Sequence, residues 1–126
     1  MGQKFDDILK KLLVANPEAK AAAIISPEGL PIASALPKSV DETKISAMTA
    51  TLLSLSERAI IDMRKGDFHQ LHIKGSKGDL IVMQAGLNAV LTVSTTNDIK
   101  LGLILLDCRR ACEKIAKSFN EDEEED

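Results

Sequence analysis

The chain of 126 residues has no Trp and no Tyr, and its only aromatics are Phe5, Phe68 and Phe119. Readers of single-stranded nucleic acid stack bases on exposed aromatic platforms, and this composition does not supply one. Long apolar runs are missing too. Leu103-Ile104-Leu105-Leu106 falls far short of the roughly 20 residues that span a bilayer. Met1 to Asp7 are mostly polar and include Asp6 and Asp7, so no signal peptide is legible and the cytoplasm is the expected compartment. Gly2 follows the initiator, but Asp6 stands where the myristoylation pattern requires Ser or Thr.

Cysteine is scarce. Cys108 and Cys112 lie four apart in a helical pattern, where side chains stack along one face but rarely reach disulfide geometry. They read as buried hydrophobes. A metal site would need two more ligands. His69 and His72 are three apart in a strand-like segment, so they point to opposite faces and do not converge. His69 is expected to pack against a helix layer, and His72 to face solvent or a neighbouring subunit. Neither GxxxxGK[ST] nor GxGxxG occurs, and GxSxG and HExxH are also absent. The carboxylates form no evident pair in an apolar setting. The sequence offers no catalytic constellation, no metal site and no cofactor site, and an enzyme is not expected.

Charge of either sign is modest in total but unevenly placed. The formal net charge is −3, from 16 Lys plus Arg against 19 Asp plus Glu. The last six residues, Glu121 to Asp126, are all acidic. Without them 13 acids face the 16 bases, a balance of +3. That is too weak to predict binding to a phosphate backbone. Residues 1–120 therefore read as a single domain, and 121–126 as a disordered, solubilising acidic tail.

What is present is periodicity. Phe5, Ile8, Leu9, Leu12 and Leu13 fit one face of a helix over residues 3–15, ended by Asn16-Pro17. Residues 21–26 and 30–34 read as two strands around the turn Pro27-Glu28-Gly29, with Pro31 at a strand start. Asp41 caps a long helix over residues 42–65, with Arg64-Lys65 in its last turn and Gly66 as its stop. Its expected core stripe is Ile45, Met48, Leu52, Leu55, Ser56, Ala59 and Met63, widened by Leu53 and Ile60. The other face carries Ala47, Ala50, Ser54, Arg58 and Ile61, and its small central residues would let a partner helix approach closely. Residues 68–74 alternate as a strand, Gly75-Ser76-Lys77-Gly78 is a hairpin loop, and residues 80–83 and 89–94 give two more strands around Gly86. Asn97 or Asp98 caps a last helix to about Asn120. Its stripe is Leu101, Ile104, Leu105, Cys108, Cys112, Ile115 and Phe119, and its first two turns are apolar nearly all round, as for burial on several sides. The order α-β-β-α-β-β-β-α with short connections predicts an α+β sandwich: a five-stranded antiparallel sheet covered by helices.

Four stretches carry a family resemblance. They are Ala23 to Ser34, with its Gly29-Leu30-Pro31-Ile32-Ala33-Ser34 strand; the small-residue helix Ile45 to Arg58; Leu80 to Val93 around Gly86; and Leu101-Gly102-Leu103-Ile104-Leu105 followed by Arg109-Arg110-Ala111. In this order and spacing the chain resembles the Roadblock / dynein light chain family, its archaeal and bacterial branch most closely, from about Phe5 to Phe119. The resemblance implies a Roadblock/profilin-like fold and a dimer whose second helices pack antiparallel and whose third strands pair edge to edge. The expected dimer contacts are then Ala47, Ala50, Thr51, Ser54, Arg58 and Ile61 on the helix, with Phe68, Gln70 and His72 on the strand. Isologous two-fold pairing would satisfy both the helix face and the edge strand. The implied function is non-catalytic: a homodimeric regulator or scaffold of a small Ras-like GTPase, similar to the bacterial polarity dimer that stimulates hydrolysis by reshaping the GTPase's own site. Glu57 and Arg58 are the candidate GTPase contacts. The alternative is a structural, light-chain-like adaptor subunit of a motor or of a heterodimer with a paralogous Roadblock subunit. Nucleic-acid binding and direct membrane insertion are not expected.

Overall fold

The computed structural model describes residues 2–125, with side chains through Glu121. The elements run α1 (Gly2–Ala15), β1 (Ala19–Ile25), β2 (Pro31–Ala35), α2 (Glu42–Asp62), β3 (Gln70–Gly75), β4 (Gly78–Gln84), β5 (Val90–Thr95) and α3 (Leu101–Glu125). The order is the one the periodicity predicts. The strands form one antiparallel sheet in the order β2-β1-β5-β4-β3, so β2 and β3 are its edges.

Strand alternation divides the sheet into two unlike faces. Ala22, Ile24, Ile81, Met83, Leu91 and Val93 point to one side and pack with Phe5 and Leu9 of α1 and Ile104, Cys108, Cys112 and Ile115 of α3. This is the main core. The stripes expected for α1 and α3 lie in it, although Leu103 is 59% exposed and Leu106 37%, so the start of α3 is not buried on several sides. The other face has a much smaller cluster, Leu53 of α2 on Val82 and Val90, with Leu52, Phe68 and Leu71 around it.

That second face corrects the reading of α2. Its buried residues are Ser46, Thr49 and Leu53. Met48, Leu55 and Met63, expected in the core, are exposed. By alternation Ala23 and Thr92, directly opposite each other, belong to that face, beside Val82 and Val90 that Leu53 covers. Buried Ser46 is satisfied locally, its Oγ donating to Glu42 O at 2.8 Å.

The helix ends also differ from expectation in instructive ways. Asp41 does cap α2, its Oδ1 accepting from Thr43 N at 3.0 Å and Lys44 N at 3.3 Å. But α2 stops at Asp62, before Arg64-Lys65. Lys65 N donates to Ile60 O and Arg64 N to Ile61 O, with Arg64 at φ +57. This is a Schellman stop with Arg64 in its left-handed position; Gly66, two residues on, is also at positive φ, +87. Arg64→Gly removes the Cβ penalty there and is expected to raise stability by about 0.5 kcal/mol, read by urea denaturation. The last helix begins at Leu101; Asp98 instead adopts φ +60, and Lys100 O accepts the first bonds, from Leu103 N and Ile104 N. At the other end α3 continues through the acids to Glu125, so the helix does not stop at the boundary expected after residue 120. Glu121 lies 3.7 Å from Lys4 and 4.0 Å from Lys117. Asp126 lies outside the described residues.

Candidate interaction surface on the second helix and the edge strand

The Pro27-Glu28-Gly29 turn lies against α2. Ser26 N donates to Leu30 O and Gly29 N to Ser26 O, with Gly29 at φ +94. A Cβ placed on Gly29 would stand 3.4 Å from Ala50 Cβ and 3.5 Å from Ala47 Cα. The small residues of this stripe thus have an intramolecular cause: the chain's own hairpin turn approaches them. Ala50 is half-buried there, while Ala47, Thr51 and Ser54 are exposed. Thr51 Oγ1 donates back to Ala47 O at 3.0 Å. Ile61 is 66% exposed, and Arg58 is exposed beside Asp62 at 3.7 Å, an i, i+4 pair of small energetic weight. Glu57 is half-buried.

Helical spacing puts Met48, Leu55 and Ala59 together on the outward side of α2, and all three are exposed. The apolar character that suggested a core stripe is therefore displayed to solvent. Across the sheet, β3 is an edge strand, as expected of a strand needing protection. Its partner on one side is β4, and its other side is unpaired in this chain. Leu71 is half-buried and Ile73 37% exposed. Phe68 precedes the strand and packs by the Leu53 cluster; Gln70 opens it.

The histidines separate. His69 is exposed and outside the strand, so it does not pack under a helix as expected. His72 is half-buried, with Nε2 2.6 Å from Asp79 Oδ2. The sequence reading missed Asp79. Its signal was available, because Lys74 and Asp79 face each other across the hairpin and His72 shares their side.

Cys108 and Cys112 are buried and free. Burial, with the neighbouring Asp107 charge, pushes the Cys108 thiol from its ordinary 9.0 to about 12. Burial also raises Cys112 to about 12, with smaller contributions from Cys108 and Glu113. The folded chain thus keeps both protons up to about pH 12, whereas the unfolded chain releases them near 9. Their stabilising share is full below pH 9 and is lost as pH rises from 9 to 12. Alkylation at pH 8 is expected to be at least ~100-fold slower in the native protein than in denaturant, read by mass spectrometry. Among the described residues no three His, Cys, Asp or Glu side chains cluster as a metal site, and no helix is long and apolar enough to cross a membrane. The groove between α1 and α3 is rimmed by Lys4, Lys117 and Arg110, which lie beside Glu121 and Asp107.

A two-faced sandwich of this element order, with one helix alone over one sheet face, is a Roadblock/profilin-like fold. The Roadblock/LC7 domain family matches residues 5–95, and the chain belongs to that family. It is 35% identical to the Methanocaldococcus jannaschii protein MJ1340 over 100 residues, covering 79% of this chain and 87% of that protein. In fold it is similar to Myxococcus xanthus MglB, with a TM-score of 0.86 at 23% identity, covering 94% of this chain and 90% of the other. An MglB structure described as having a tetrameric arrangement gives 0.81 at 19% identity, over 91% and 87% of the two chains.

Proposed function

We propose that the protein is a non-catalytic, cytoplasmic regulator or scaffold of a small Ras-like GTPase, acting as a homodimer through contacts on the surface of α2. The observation that carries the reading is that the chain leaves two surfaces of this kind open, exposed apolar side chains on α2 and the unpaired edge of β3, on elements that share the Leu53 cluster. Exposed apolar groups and an open strand edge are what a partner covers. A second copy related by a two-fold axis would pair β3 with β3 and set α2 against α2. Ala47, Ala50, Thr51, Ser54, Arg58, Ile61, Phe68, Gln70 and His72 make up this proposed contact, with Met48 and Leu55 added. Family membership supports the GTPase part, and the tetrameric MglB supports self-association in a relative of like fold. Glu57 and Arg58 are the proposed GTPase contacts.

The test is GTP hydrolysis and nucleotide exchange by small GTPases of the same genome, with and without this protein. A changed rate that Arg58→Ala reduces supports the reading. Absence of binding to every such GTPase overturns it and leaves the adaptor reading, in which the partner is a motor or a paralogous Roadblock subunit.

A further inference from the structure

The edge strand on which self-pairing depends is weakly anchored. β3 packs mainly on β4, whereas the helices lie chiefly over the other four strands. Its pattern gives little help, since Leu71 is half-buried and Ile73 is exposed. Burial of one face is what normally fixes the register of a strand, and a slip by one residue turns every side chain over. The tight hairpin between Gly75 and Gly78 sets the register at that end of β3, and the strand running back to Gln70 needs a second hold.

His72 and Asp79 supply one. His72 lies opposite Ile81, so Asp79 is its diagonal neighbour on the same face. Their side chains meet at 2.6 Å, and the Asp79 side chain is 5% exposed. Asp79 is the one Asp or Glu in the buried set of the described residues. Its backbone N–H donates to Thr95 Oγ1 of β5 at 3.2 Å, so three strands join at this point. A slip of β3 by one residue would carry His72 to the opposite face and leave a buried carboxylate without it, which is strongly disfavoured.

We infer that His72 and Asp79 are a register lock for β3, positioning residues that hold the edge in the one alignment a second copy can pair with. A polar lock suits an edge strand, because an apolar one would invite indiscriminate strand addition. The inference rests on the proposed pairing through β3. Asp79 lies inside its own sheet, so changing it tests the lock without removing a side chain from the proposed contact.

The experiment compares Asp79→Leu, which has no acceptor for His72, with Asp79→Asn, which keeps one. Self-association is measured by sedimentation and strand opening by amide hydrogen exchange. Asp79→Leu is expected to weaken association about tenfold and to speed exchange in residues 71–74. Asp79→Asn should stay near wild type, and the amides of α1 and α3 should be unchanged in both. Wild-type exchange in residues 71–74 for Asp79→Leu, or a rise spread evenly over the whole core, would overturn the lock. A monomeric wild type would instead overturn the dimer, and exchange in β3 would still decide on the lock.

Discussion

Leu55→Glu is expected to turn the proposed dimer into a folded monomer. Leu55 is 62% exposed in the single chain, so a glutamate there meets water and costs the fold little. In the proposed dimer the same side chain lies between two helices. An interface residue of this kind costs about 2 kcal/mol when disrupted. An isologous contact contains it twice, so about 4 kcal/mol, or roughly a thousandfold in the dissociation constant, is at stake. Light scattering at micromolar concentration reads the mass, and circular dichroism checks the fold. Ser54→Glu should act in the same direction. A dimer indifferent to both would place the contact elsewhere.

Gly78→Ala is expected to be the most damaging small substitution in the chain. Gly78 opens β4 directly opposite Gly75, and a Cβ there would lie 2.0 Å from Thr95 O. The obstacle is backbone on β5, which is held to β1 and β4 on either side and has little room to yield. Overpacking of this kind costs about 3 kcal/mol, or close to 10 °C in Tm for a domain of this size. Thermal denaturation followed by circular dichroism measures it. Gly102, in α3, has nothing within 4 Å of the same construction and no left-handed φ, and is the natural control.

Much of the fold is legible in the sequence because one side of the sheet is strongly apolar. Phe5, Leu9, Ile104, Cys108 and Ile115 meet Ile24, Ile81 and Leu91 in a single cluster, and each belongs to a clean helical or strand period. The weaker side defeats the same method. On α2, hydrophobicity says that Met48 and Leu55 matter but not against what they pack. Ser46 and Thr49 go inward together with Leu53, at i, i+3 and i+7, and the polar character of the first two hides that stripe from an apolar period along α2. Ala50 also stands close to Gly29 of the chain's own turn, a neighbour that no period along α2 reveals. The edge position of β3 was anticipated from the implied topology, but the His72–Asp79 pair was not, since it depends on a diagonal across a hairpin. The stop at Arg64 was missed because an arginine in the left-handed region is set by the Schellman bonds rather than by glycine chemistry.

In the proposed dimer the apolar side of α2 and the edge of β3 meet a second copy of the chain. Light scattering of the wild-type protein across a range of concentrations tests it most directly. The expected result is twice the 13.6 kDa of the single chain, persisting on dilution to the low micromolar range. A folded species of 13.6 kDa at every concentration would contradict it.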